Sequence, residues 1–145
     1  MNNFEFKGAK GTLYKSEALS LRRRVFSEEQ GIPEALDLDG KDDEAYHLIA
    51  LKEEKIVATG RLNFEDNKGH ISRIAVHSEH RKEGLGKKIV ENLITYAKDL
   101  DVNFLYLYPH SYLENFYMSF GFTKVPDSQE ELEGGHQIIR MEKTL

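Results

Sequence analysis

The sequence predicts an α+β fold: a mixed, mostly antiparallel, twisted sheet of six to seven strands with about four helices. Three observations predict it. Strand-like runs at 46–52, 55–64 and 70–76 are separated by tight polar turns, the pattern of an antiparallel meander. A strand, a long amphipathic helix and a second strand then span 70–108, a crossover that lays strand 104–108 parallel to the one before the helix. The tail, with strand-like runs at 123–125 and 137–143, reads as a hairpin.

The elements follow in chain order. Residues 4–7 alternate weakly and suit a first strand. Ser16 can cap a helix running to about Phe26, with Ala18, Leu21 and Val25 on one face. Arg22, Arg23 and Arg24 fall mostly on the opposite face, where a charged run is expected to be solvated. A short helical piece at 27–30 is ended by Gly31 and Pro33. Asp37, Asp39, Asp42, Asp43 and Glu44 read as a solvated acidic loop, able to attract a cationic amine if it borders a cleft. Their spacing lacks the glycine and terminal glutamate of a calcium loop. His47, Ile49 and Leu51 mark one face of the strand at 46–52, and Glu53-Glu54 turns it back. Gly69, at the end of Asp66-Asn67-Lys68-Gly69, suits a positive φ.

In the next strand Ile71 is apolar on odd parity, whereas Ile74 and Val76 are apolar on even parity. Either a β-bulge or burial on both faces explains the slip. Arg81-Lys82-Glu83-Gly84-Leu85-Gly86, with Lys87 and Lys88, then forms a basic, glycine-containing turn where the long helix begins. Leu85, Ile89, Val90, Leu93, Ile94, Ala97 and Leu100 recur at helical spacing. Consecutive backbone N–H groups, the positive end of a helix dipole and clustered cations suit a phosphate-rich ligand. A P-loop would need glycine at Arg81 and Ser or Thr at Lys88, and a dinucleotide fingerprint would need glycine at Ile89. Neither fits. Farther on, Ser111-Tyr112-Leu113-Glu114 has the form of a capping box opening a helix that Gly121 closes.

Composition bounds the function. The 145 residues suit a single domain over 1–145 with a proper core. Hydrophobic residues at 39% and charged residues at 31% are ordinary for a soluble globule. A net charge of −5 argues against a nucleic-acid partner and makes the basic turn a local feature. The absence of cysteine excludes disulfides, thiolate metal sites and a cysteine nucleophile. No stretch approaches a membrane span and Met1-Asn2-Asn3 begins no signal peptide, so a cytoplasmic protein without a membrane partner is expected.

Arg81-x-x-Gly84-x-Gly86 at a strand-to-helix turn resembles the acetyl-CoA pyrophosphate loop of the GNAT superfamily of N-acetyltransferases. Asn115-Phe116-Tyr117-Met118-Ser119-Phe120-Gly121-Phe122 resembles the second motif of that superfamily. Arg24-Val25-Phe26 and Glu29-Gln30-Gly31-Ile32-Pro33 are similar to the N-terminal signature of its ElaA-like branch. The resemblance runs in order along nearly the whole chain. Two departures concern the acceptor side: the branch's acidic-Gly-x-Pro-His segment is matched at an acid, one glycine and His136 but lacks the proline, and His110-Ser111-Tyr112 stands where His-Ala-Gln is common.

The resemblance implies a GNAT acyl-CoA N-acyltransferase fold whose bulged fourth strand splays from the parallel fifth. It implies acetyl-CoA as co-substrate, no metal, and an acceptor that is a small-molecule or peptide amine; a homodimer is among the assemblies open to it. Ile74, Ala75 and Val76 would align the thioester, and Arg81, Lys82, Glu83, Gly84, Leu85, Gly86 and Lys87 would hold the pyrophosphate, with Asn115 also on the cofactor side. Tyr117 would be the general acid that protonates the departing thiolate; otherwise it is a core aromatic beside Leu113 and Phe120. His110, Glu29 and His136 are candidates for the base that deprotonates the amine, Glu29 and Gln30 lying on the acceptor side. A binding protein of the same fold, sensing acyl-CoA without turnover, is the alternative of another class.

Overall fold

A computed structural model describes residues 3–132 and 134–145; Met1, Asn2 and Glu133 lie outside the described residues. The strands begin with β1 (Glu5–Lys10), β2 (Tyr46–Lys52), β3 (Lys55–Glu65) and β4 (Lys68–Val76), paired antiparallel in sequence order. They end with β5 (Phe104–Leu107), β6 (Thr123–Lys124), β7 (Glu130–Glu131), β8 (Gln137–Ile138) and β9 (Met141–Thr144). A seven-stranded sheet has the order β1-β2-β3-β4-β5-β9-β6, and β7-β8 forms a separate two-stranded ribbon. Among the described residues only the β4–β5 pair is parallel, as a crossover through a helix requires.

That helix, α3 (Leu85–Asp99), buries Leu85, Ile89, Val90, Leu93, Ile94 and Ala97 against β2, β3 and β4. Burial of such side chains contributes about 1.5–3 kcal/mol each. It sits close to the sheet because Gly60 offers no side chain: a Cβ there would lie 2.6 Å from Ile89 Cγ2. Helix α1 (Lys15–Arg22) covers part of the opposite face with Ala18 and Leu21. It continues without a break into a π-helical turn, Arg23–Glu29, before the short α2 (Glu34–Asp37). The expected separate piece at 27–30 is therefore the end of one helix, closed by Gln30 N–H donating to Val25 O. Ser16 does not cap it; Tyr14 holds the cap position without a side-chain bond.

The parity slip in β4 is a bulge. Thr59 faces Ala75 and Arg61 faces Ser72, so one extra residue sits on β4. Arg73 takes it up with φ 57°, a left-handed conformation that costs a non-glycine residue roughly 1–2 kcal/mol. Ile71 before the bulge and Ile74 after it consequently both meet the α3 core.

Two expectations about charge hold only in part: Arg23, Arg24, Asp39, Asp43 and Glu44 are exposed, but Arg22, Asp37 and Asp42 are not. Arg22 is 1% exposed, and its guanidinium donates to Asp37 Oδ2 (3.0 Å) and Asp42 Oδ1 (2.6 Å). Asp37 and Asp42 are themselves buried, so the acidic run is anchored at two positions rather than solvated throughout. Arg61 joins Asp39 (2.7 Å) to Asp42 (3.1 Å), and Arg73 joins Asp37 (2.8 Å) to Asp39 (3.4 Å). Three guanidiniums thus neutralise three carboxylates between helix, loop and sheet. Burial alone would raise the Asp39 and Asp42 carboxyls, but arginine bonds from Arg61 and Arg22 outweigh it and hold both below the usual range. His47 Nε2 lies 2.8 Å from Asp42 O, and burial keeps the ring neutral.

Smaller corrections have local causes. Asp66, not Gly69, takes the positive φ of its turn. Gly69 pairs within β4, where a Cβ would sit 2.7 Å from Leu105 Cδ2. Ser111 starts a single 3₁₀ turn, Ser111–Leu113, before α4 (Glu114–Met118), and no side chain caps either. The tail does pair as expected, β6 running antiparallel to β9, and β9 also pairs β5 and so lies between β5 and β6. The expected strand at 137–143 breaks at Ile139 and Arg140, whose N–H groups bond to Pro109 O and Ser128 Oγ instead. No helix among the described residues is long and apolar enough to cross a membrane.

Candidate active site

Strands β4 and β5 pair only at Lys68–Phe104, Gly69–Leu105 and His70–Tyr106. Beyond His70 the two separate, leaving the β5 side of residues 71–76 unpaired within the sheet. In an antiparallel pair, successive residues direct their backbone groups alternately to either side. His77 N–H donates to Val57 O of β3 at 2.8 Å, so the backbone groups of Val76 and Ile74 point into the opening. Val76 C=O agrees: it accepts from Arg81 Nε at 3.1 Å. Ala75 instead packs under α1 with Leu21 and Val25.

The basic turn closes one end of this opening. Lys82 (φ 67°) and Gly84 (φ 80°) are left-handed, which turns the chain from β4 into α3. Gly84 occupies the N-cap of α3 and has no side chain to accept from it. The first helical bond is Lys88 N–H to Gly84 O, so the N–H groups of Leu85, Gly86 and Lys87 have no acceptor in a preceding turn. A Cβ on Gly86 would meet only Phe116 Cζ, at 3.9 Å, so the missing side chain keeps space open between α3 and α4. Lys82 in the turn and Lys87 in the first turn of α3 are exposed, and Glu83 lies 3.3 Å from His80 Nδ1. These donors fit a diphosphate.

Arg81 and Glu29 are brought together: Arg81 Nη2 donates to Glu29 Oε1 at 2.9 Å, and Nη1 contacts the second carboxylate oxygen. That hydrogen bonding holds the Glu29 carboxyl below its ordinary range. Glu29 therefore straps the π-helical turn to the basic loop.

Tyr117 of α4 is 6% exposed, with its ring edge-on to Phe116 (5.0 Å) and Phe122 (6.1 Å). Burial pushes its phenol well above the usual tyrosine range, so the hydroxyl is neutral and able to donate. Asn115 is exposed on the same short helix. His110, after β5, lies 5.3 Å from His136 and stacks on exposed Tyr112 at 5.3 Å. Burial and the neighbouring His136 lower the His110 pKa.

The structure adds residues that the motifs did not reveal. His70 stacks on Tyr106 at 4.7 Å, on the last paired rung before the opening. Tyr108 meets His70 edge-on, and Arg140 lies 4.4 Å above Tyr106 while donating to Tyr108 Oη. The signal was present in the even-numbered aromatics Tyr106 and Tyr108, which alternation turns away from α3. The bulge arginine, Arg73, is the other addition. No group of three or more metal-ligating side chains occurs among the described residues.

A family model for the acetyltransferase (GNAT) domain matches residues 12–145. The chain belongs to the GNAT family of acetyltransferases. Among its relatives, YyaT of Bacillus subtilis is 33% identical over 132 residues, covering 89% of this chain and 88% of the relative. YjcF of Bacillus subtilis, which carries the name N-acetyltransferase, is 30% identical with 93% and 96% covered. ElaA of Escherichia coli is 33% identical over 119 residues, covering 78% and 77%. The crystal structure of Escherichia coli ElaA superposes with a TM-score of 0.85 at 27% identity, covering 97% of this chain and 99% of that one. An acyl-CoA N-acyltransferase from Pseudomonas aeruginosa gives 0.86 at 26% identity over the same shares. This GNAT acyltransferase thus falls in the ElaA-like branch, with the bulged and splayed sheet of its fold family.

Proposed function

We propose that this GNAT protein, a single domain over residues 1–145, moves an acetyl group from acetyl-CoA directly to a primary amine of a small molecule or peptide in the cytoplasm. One observation carries the reading: the uncapped N-terminus of α3 follows directly on the β4 segment that has no β5 partner, and Phe116, against which the buried Tyr117 ring packs, faces Gly86 of that terminus. The N–H groups of Leu85, Gly86 and Lys87, with Lys82 and Lys87, bind the diphosphate. Ile74 and Val76 N–H donors orient the acyl carbonyl and stabilise its developing oxyanion. Tyr117 gives its proton to the departing thiolate, and burial keeps that proton in place until then.

A lysine-like amine is protonated at neutral pH, so a proton must leave before attack. His110 is neutral through its lowered pKa and accepts it, directly or through water, with His136 beside it. Glu29, engaged by Arg81, serves as a strap rather than as the base. Positioning two reactants in one cleft supplies much of the remaining acceleration. Release of CoA thiol is the test: Tyr117→Phe loses turnover on an amine panel while retaining acetyl-CoA binding. Binding by the native chain without thiol release on any amine favours an acyl-CoA sensor instead.

A further inference from the structure

The geometry points to Arg73 as a positioning residue, one that sets the acyl end of the site through Asp37 at the end of α2 and Asp39 in the loop after it. The inference rests on the acyl-transfer reading for its kinetic consequence only. Arg73 is the bulge residue, and its backbone is left-handed at φ 57°. An arginine gains nothing from that conformation by itself, so its surroundings must hold it there. Its Nε lies 2.8 Å from Asp37 Oδ1 and its Nη2 3.4 Å from Asp39 Oδ2, and both nitrogens approach Asp37 O at 3.3–3.4 Å. Neither aspartate is free to move: Arg22 fixes Asp37 and Arg61 fixes Asp39, from α1 and β3 respectively.

The next residue, Ile74, begins the segment whose amides face the opening. A strand that slips by one residue sends every side chain to the opposite face and every backbone N–H to the opposite neighbour. Without the bulge, Ile74 and Val76 would leave the α3 core and turn their N–H groups toward β3. His77 N–H would at the same time lose Val57 O, which it now reaches at 2.8 Å. The arginine–aspartate network therefore holds the register that directs the acyl-binding amides. Arg73 touches no reacting atom in this scheme and acts through the backbone that follows it.

Glycine and alanine at position 73 separate this role from simple structural support. Both remove the guanidinium, but only glycine adopts φ 57° without strain. Amide exchange and turnover are measured on Arg73→Ala, Arg73→Gly and the native chain. Arg73→Ala is expected to lose at least tenfold of the His77 amide protection and at least tenfold in kcat. Its acetyl-CoA dissociation constant should stay within about threefold, because the diphosphate donors, the N–H groups of Leu85 to Lys87, lie in α3 beyond the end of β4. Arg73→Gly is expected to recover most of both losses, although glycine is ordinarily the less stabilising residue. Should Arg73→Ala not fold, Arg73→Lys replaces it, keeping charge without the forked geometry and judged by the same criteria. Equal His77 protection in all chains, or glycine as impaired as alanine, overturns the inference. Native protein that binds no acetyl-CoA, with the exchange pattern as expected, would instead sink the acyl-transfer reading and leave the positioning of the strand supported.

Discussion

Replacing Arg22 by methionine gives a sharp measure of the buried network. Methionine retains much of the apolar stem and removes the guanidinium. Arg22 is 1% exposed and serves Asp37 and Asp42, which are 6% and 4% exposed. Bonds to Asp37 Oδ2 at 3.0 Å, Asp42 Oδ1 at 2.6 Å and Asp37 O at 3.2 Å disappear together. Breaking a buried ion pair from one side costs about 3–5 kcal/mol, because a desolvated charge is left behind. Here each carboxylate retains one partner, Arg73 for Asp37 and Arg61 for Asp42, which points to the lower figure of about 3 kcal/mol. For a chain of this size that lowers Tm by roughly 6–12 °C. Urea unfolding with linear extrapolation measures it, with exposed Arg23→Met as the control, expected within about 0.5 kcal/mol of the native chain. An Arg22→Met midpoint equal to that of Arg23→Met would refute the network's role in stability.

Three other outcomes follow from the same geometry. Tyr117→Phe should lower kcat by about 10²-fold or more with little change in acetyl-CoA affinity, read by thiol release and calorimetry; an unchanged kcat removes the general-acid role. Burial, with Arg61, Lys41 and Arg73 nearby, lowers the His70 pKa to about 4, whereas an unfolded histidine titrates near 6.5. The unfolded chain therefore takes up that proton first, so stability present above about pH 6.5 is lost as pH falls toward 4, by up to roughly 3 kcal/mol. Urea unfolding at pH 7 and 4.5 should show a shallower slope in His70→Phe, a residual slope remaining from His47 and His110, whose pKa values are lowered too; an identical slope excludes His70 as a source. Glu29→Gln should weaken acetyl-CoA binding only a few-fold, through a looser Arg81, and leave the pH profile of kcat unchanged; loss of a limb from that profile would restore Glu29 as a base.

The sequence carried the fold wherever a local pattern decided it. Seven apolar positions from Leu85 to Leu100 specify α3, and the parity change between Ile71 and Ile74 locates the bulge to within two residues. Gly84 announced the helix terminus because few other residues take φ 80°. What stayed hidden depends on partners distant in the chain. Arg22 and Asp42 look like surface charges until folding sets them 2.6 Å apart, and no periodicity encodes that meeting. The insertion of β9 beside β5 is likewise a matter of topology, and an antiparallel tail fits either arrangement. Glu29 was legible as a residue of the acceptor-side signature, whereas its pairing with Arg81, 52 positions away, was not.

The claim on which the mechanism stands is that the bare N-terminus of α3 grips the diphosphate of acetyl-CoA. Isothermal titration of acetyl-CoA into the native chain and into Gly86→Val tests it most directly, since a side chain at position 86 would enter the space beside Phe116. Saturable binding at roughly 1–100 μM, ordinary for an enzyme substrate, is expected in the native chain, weakened about tenfold or more by the valine. Absence of heat in the native chain, or equal affinity in the two, would contradict it.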